Sequence, residues 1–238
     1  MMAMMAMISM AQPGISSQRL GWIPFRFETY AHAVGQRLKG PGKERISATG
    51  TLERFSGNDS ATGPVRIVWE YPLKIRLDRG GKVLVVNRKI PRTAASIDQT
   101  AIDTVQTLLE DSVEGLLAIG NDIGVTRNMG SGYRLVNAAP DNPSMDIVHM
   151  AYADLFHGGQ MVEKAYWFNS QTKLLGVVSY KSPSGTRVHV VVDDWRDIEG
   201  DKVPFLIERY EDNRLILRVT LNSATVTAGV EDGAFGGN

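Results

Sequence analysis

The stretch EKAYWFNSQTKLLGVVSYKSPSGTRVHVVVDDW, residues 163–195, decides the fold. It divides into three runs, 163–169, 173–182 and 186–195, rich in valine and aromatic residues and broken by turn formers. Ser184-Gly185 reads as a hairpin turn between the second and third runs. Two further runs follow at 203–211 and 214–222, with Gly200 in the loop before them and Asp212-Asn213 as the hairpin turn between them. Within the first run Trp167 and Phe168 are neighbours, so strand alternation sends them to opposite faces and at most one can line an interior.

Working outward, the same pattern holds upstream. Ile46, Ala48, Gly50 and Leu52 alternate with polar residues, as do Val65, Ile67, Trp69 and Tyr71, with Arg66 and Glu70 on the other face. Leu73, Ile75 and Leu77 follow, then Val83 and Val85, with Gly57-Asn58, Pro72 and Gly80-Gly81 as turn signals. Successive strands with tight links predict an antiparallel meander. Strands are also expected over 124–129, 132–137 and 146–153.

Two segments are helical by spacing. Phe27, Tyr30, Ala31, Val34 and Leu38 predict a helix over 26–38, stopped by Gly40-Pro41-Gly42. Ile102, Val105, Leu109, Val113 and Leu116, widened by Leu108 and Leu117, predict a long helix over 98–119. Ser96 to Gln99 has capping-box spacing, and Gly120 sits where a left-handed cap would end the helix. Gly115 inside it costs roughly 1 kcal/mol relative to Ala; it either admits a close approach or marks a break into two helices.

These elements predict a mostly β (α+β) fold: some eleven strands in a curved antiparallel sheet or incomplete barrel, with the helices covering its concave side. We expect one such domain over 26–238, preceded by 1–25. Met1–Met10 is a run of Met and Ala with Ile8 and Ser9, and Ser9 and Ala11 match the small residues before a secretory cleavage point. The run lacks the usual basic residues and is shorter than the roughly 20 residues that span a bilayer. It reads as a truncated signal peptide, with an unstructured tail as the alternative, and no other segment reads as transmembrane.

Composition narrows the function classes. Lys plus Arg and Asp plus Glu are 26 each, so no net field recruits nucleic acid. There is no cysteine, which excludes disulfides, thiolate metal sites, a cysteine nucleophile and lipid attachment through cysteine. We find no phosphate loop, nucleophile elbow or zinc-type His pair, and expect neither enzyme activity nor a cofactor. His32, His149, His157 and His189 read as ordinary surface or hydrogen-bonded residues. Asp193, Asp194, Asp197, Glu199 and Asp201 lack the rhythm of a calcium loop and read as a solvated strand end and turn.

Three stretches resemble the periplasmic lipoprotein-carrier superfamily, the LolA/LolB-like outer-membrane lipoprotein-sorting proteins. They are Tyr30 to Gly35 with Ile46 to Leu52, then Tyr166 to Leu175, and then Trp195 to Pro204. The resemblance implies an incomplete antiparallel barrel with a helical lid, periplasmic location, and binding of lipid or lipoprotein acyl chains. The cavity side chains we expect from the residues themselves are Trp69, Tyr71, Leu109, Val113, Leu116, Phe168, Trp195 and Phe205, although aromatics on sheets also make plain core. Burying about 300 Å² of acyl chain contributes roughly 7 kcal/mol before ordering costs, enough for micromolar binding.

Two other readings stay open. One is an interaction module that binds an envelope protein by strand addition at an exposed edge, with 214–222 as the candidate edge. The other is a hydrolase in which His149 or His189 meets Asp193 or Asp194.

Overall fold

The computed structural model describes residues 28–38, 45–57, 59–71, 74–87, 99–121, 132–136, 145–153, 160–229 and 235. The expected strand 124–129, the N-terminal run, Pro72 and the capping box at 96–98 lie outside the described residues.

The strands are β1 (Arg45–Ser56), β2 (Asp59–Glu70), β3 (Lys74–Arg79), β4 (Lys82–Asn87), β5 (Gly132–Val136), β6 (Met145–Ala153), β7 (Met161–Asn169), β8 (Leu175–Lys181), β9 (Arg187–Ile198), β10 (Asp201–Glu211) and β11 (Arg214–Thr227). They form one eleven-stranded sheet in the order β4-β3-β2-β1-β11-β10-β9-β8-β7-β6-β5, every described pair antiparallel. The turn residues carry the backbone the sequence asked for. Gly80 and Gly81 lie at φ 56° and 76°, and Asp212 and Asn213 at 46° and 65°, the left-handed pairs that suit a twisted two-residue hairpin.

The order of strands fixes where the helices must go. The chain starts in the middle of the sheet at β1, runs out to the edge at β4, and resumes at the opposite edge with β5. The segment between those edges therefore crosses the sheet, and its helices cover the concave face of an open, incomplete barrel. β11 is central, paired with both β1 and β10. This overturns 214–222 as an exposed edge: its alternation was correct, but closure of the chain's two ends on each other leaves it buried in the sheet.

Where β1 meets β11 the register shifts between Thr49 and Gly50. A Cβ at Gly50 would stand 2.2 Å from the Thr220 carbonyl oxygen, so only glycine allows the two backbones to approach there.

The first helix, α1 (Glu28–Ala33), ends five residues before the predicted end at Leu38, and its predicted start at 26–27 lies outside the described residues. It stops because Gly35 takes a left-handed φ of 102° and the chain turns onto the β9–β10 hairpin. There the fully buried Asp201 carboxylate accepts the backbone N–H groups of Gln36 and Arg37 at 2.6 and 2.8 Å.

The predicted long helix is divided. It comprises α2 (Gln99–Val105), a π-helical turn (Gln106–Glu110) and α3 (Val113–Asn121). The Asp111 N–H reaches back five residues to the Gln106 carbonyl at 3.1 Å. Ser112 then caps α3, accepting from the Gly115 N–H at 3.0 Å and donating to the Leu109 carbonyl at 2.9 Å. Gly115 is the joint: a Cβ there would meet the carbonyl oxygens of Leu109 and Glu110 at 2.4 Å. α3 runs through Gly120 to Asn121, so the cap expected at Gly120 is not formed.

Val105, Leu108, Leu109, Val113, Leu116 and Leu117 of these helices join one core with the inward residues of the sheet. Ile46, Ala48 and Leu52 come from β1, Val65, Ile67 and Trp69 from β2, and Tyr166 and Phe168 from β7. The Phe235 ring lies 5.5 Å from the Arg45 guanidinium and 5.6 Å from the Lys74 ammonium, which pins that residue near the start of β1.

Candidate functional site

The layer between the helices and the concave face collects most of the expected cavity residues. Trp69, Leu109, Val113, Leu116, Phe168 and Phe205 are buried in the common core, and Tyr71 and Trp195 are half-buried against it. Alternation on β7 settles the pair left open by sequence. Phe168 is buried, its ring centroid 4.0 Å from that of Tyr30, while Trp167 is only half-buried and donates its indole N–H to the Ser179 hydroxyl at 3.0 Å. The Trp195 indole donates to the Leu175 carbonyl at 3.0 Å, and the Arg196 guanidinium covers the Phe205 ring at 4.1 Å.

A void of about 20 Å³ bordered by Trp69, Val113 and Trp195 remains beneath the helices, room for about one water molecule. Leu108, Val113, Leu175, Val192 and Ile207 line that void.

Polar contacts fasten the helices as well as this apolar packing. Lys164 of β7 is completely buried, and its ammonium lies 2.6 Å from Asp111 Oδ1 and 3.2 Å from Glu110 Oε2. It also sits 4.3 Å from the centroid of the Tyr180 ring. Tyr180 donates its hydroxyl to Asp111 Oδ2 at 3.0 Å, and Tyr166 donates to the Glu110 carbonyl at 3.3 Å. From β10, buried Arg209 donates to Gln106 Oε1 at 3.2 Å and Thr107 Oγ1 at 3.4 Å, and stands 3.5 Å from Asp111 Oδ2. The π-turn and the residue after it are thus held to β7, β8 and β10 together. α3 has its own tie, with buried Arg37 bridging to Glu114 at 2.8 Å and donating to the Val34 and Lys202 carbonyls. α2 is tied through Arg54, which donates to Thr100 and pairs with Asp103 at 3.6 Å.

The protonation states follow from this geometry. Burial pulls the Lys164 ammonium towards neutrality, but the Asp111 and Glu110 carboxylates outweigh it and hold the pKa well above that of ordinary lysine. Burial, helped by Asp111, pushes the Tyr180 phenol well up, and burial with the nearby Asp146 charge raises Tyr30 to about 12. Each group binds its proton more tightly folded than unfolded, so its stabilisation is complete below pH 10 and drains away as pH climbs through the raised values. Thermal melts should therefore be flat from pH 8 to 9.5 and fall steeply between pH 10 and 12; a melting point unchanged at pH 11.5 would contradict the buried network.

Beside this layer is an open groove of about 1070 Å³. It lies at the end of the concave face where three hairpin tips come together: Phe55–Gly57, Ser182–Thr186 and Glu211–Arg214. Ile102, Asp103 and Gln106 of the helices and Arg209 of the polar network form its inner wall. The groove therefore abuts the fastened helices.

The hydrolase geometry is not assembled. His149 is on β6, three strands from β9, and lies 3.3 Å from Glu163. His189 is on β9 with Asp193, but four residues along an extended strand put them about 13 Å apart. Asp194 is engaged by Arg196 at 2.6 Å. Among the described residues, no group of three or more His, Asp or Glu side chains is placed to hold a metal ion, and no helix is long and apolar enough to cross a membrane.

Sequence reading missed the polar network. Its signals were single residues against the grain: Lys164 on the inward parity of an apolar strand, and Glu110-Asp111 interrupting an apolar helix stripe.

No family model and no curated protein matches the sequence. The backbone, however, is similar to solved structures. A domain from Vibrio parahaemolyticus assigned as an outer membrane lipoprotein-sorting protein matches with a TM-score of 0.56 at 8% identity, covering 88% of this chain and 95% of that one. A LolA superfamily protein from Nitrosomonas europaea matches with a TM-score of 0.52 at 10% identity, covering 90% and 98%. A DUF1329 family protein from Desulfovibrio piger matches with 0.53 at 7%, covering 88% and 95%. The open sheet, its strand order and the crossing helices thus make up the LolA-like fold.

Proposed function

We propose that this chain is a periplasmic, non-catalytic carrier or sensor of lipid-like or lipoprotein acyl groups, with the segment 99–121 as a lid over an apolar concave face. The observation that carries the proposal is the nature of the fastening. The face beneath the lid is apolar, yet the lid is held by buried charges: Asp111 and Glu110 on Lys164, with Arg209 on Asp111. Buried ion pairs give back in desolvation much of what they gain in attraction, so exchanging them for hydrated charges costs little net free energy. An apolar fastening of the same area would have no such hydrated alternative. The lid can therefore lift, and the acyl chain then lies between Leu109, Val113 and Leu116 of the lid and Trp69, Phe168 and Phe205 of the sheet, with Tyr71 and Trp195 at the margin.

The energetics suit a reversible carrier. A sixteen-carbon chain buried at about 0.8 kcal/mol per methylene gains roughly 12 kcal/mol. Lid opening and chain ordering subtract a few kcal/mol, leaving micromolar binding. The similarity to a domain assigned to lipoprotein sorting supports the choice of acyl ligand and of the periplasm. Native mass spectrometry of protein purified from its own cell envelope should show bound lipid, and a fluorescent fatty acid should bind the delipidated protein in the micromolar range. Protein that is empty from the envelope and also ignores the fatty acid ends the reading.

A further inference from the structure

We infer that the open groove at the hairpin end is a binding site for the anionic, phosphate-class head group of a single-chain amphiphile whose tail lies under the lid. The inference deepens the carrier reading and rests on it. The groove lies next to that layer, and Ile102 and Gln106 of the lid form part of its wall. A chain lifted under the lid from this end leaves its polar end in the groove.

The charges there select the head group. Arg54, Arg209 and Arg214 line the groove against two carboxylates, Asp103 and Glu211. Arg54 is taken up by Asp103 at 3.6 Å, and Arg209 by Glu211 at 3.0 Å and by the lid. Arg214 is exposed and has no ion-pair or hydrogen-bond partner among the described residues. The groove therefore carries one uncommitted guanidinium, a planar fork suited to two oxygens of a phosphate or carboxylate. The Ser182, Ser184 and Thr186 hydroxyls border the same groove, hydrogen-bonded in a chain at 2.8 and 3.3 Å that leaves one hydroxyl hydrogen to donate outward. An uncharged head group would leave Arg214 as it is and gain nothing from it.

The test compares dodecyl phosphate, uncharged dodecanol and inorganic phosphate as ligands of the full chain, all below micelle formation and at low salt. The expected result is about tenfold tighter binding of dodecyl phosphate than of dodecanol, the value of one charge-assisted hydrogen bond, with inorganic phosphate far weaker than either. Arg214→Glu should erase the preference while leaving dodecanol binding unchanged, and Arg214→Gln should reduce it. Equal binding of the two amphiphiles by the native chain, or a preference that survives Arg214→Glu, overturns the head-group site while the carrier reading stands. Inorganic phosphate binding as tightly as dodecyl phosphate, with no dodecanol binding, makes free phosphate the ligand and overturns the carrier reading and the amphiphile together.

Discussion

Lys164→Ala is expected to lower the free energy of unfolding by about 3–5 kcal/mol, the cost of leaving buried carboxylates without their cation. The ammonium is the nearest positive charge to both Glu110 and Asp111, at 3.2 and 2.6 Å, and no part of it reaches solvent. Arg209 remains, but at 3.5 Å from Asp111, and it is shared with Glu211. An exposed lysine on the same sheet, such as Lys181, should change stability by no more than about 0.5 kcal/mol when truncated. Replacing the whole unit, as Lys164→Met with Glu110→Gln and Asp111→Asn, should restore most of the loss, because no buried charge is then left unpaired. Chemical denaturation of the three proteins checks this. A single variant as stable as the native chain would mean that the network does not bind the lid to the sheet.

Gly115→Ala sets two effects of opposite sign against each other. Alanine is the better helix former by about 1 kcal/mol, and an isolated helix would be strengthened. Here the new Cβ would stand 2.4 Å from two carbonyl oxygens, those of Leu109 and Glu110. Relieving that overlap means moving the end of the π-turn, which displaces Glu110 and Asp111 from Lys164. We expect the steric term to win, with a net loss of about 1–3 kcal/mol, observed as a lower denaturation midpoint. A gain in stability would show that the joint is looser than the carbonyl positions indicate.

The architecture was legible because its causes are local. Alternation of side chains and paired turn residues such as Gly80-Gly81 and Asp212-Asn213 fix strands and links before any tertiary contact is known. The sheet's order is another matter. That β1 lies against β11 is decided by how a strip of strands curls and brings its ends together, and nothing within 214–222 distinguishes a central strand from an edge. The break in the long helix was visible as an alternative at Gly115, but its form depends on the five-residue reach from Asp111 to Gln106, which helical periodicity does not encode. The apolar side chains of the concave face were identified by parity. Their state was not: whether Leu108, Val113, Leu175 and Ile207 meet or stand apart depends on ångström-scale spacing between layers. The polar fastening stayed hidden because Lys164, the adjacent pair Glu110 and Asp111, and Arg209 come from three distant points of the chain, and nothing local says that they meet.

On the proposed function, segment 99–121 opens as a unit to admit an acyl chain while the sheet stays intact. Hydrogen exchange of the backbone amides, measured with and without saturating palmitate, tests it most directly. Amides of 99–121 should exchange through an opening well below the free energy of global unfolding, palmitate should change their rates, and β7 to β11 should keep their protection. Amides of 99–121 that exchange only with global unfolding, at rates indifferent to palmitate, would contradict it.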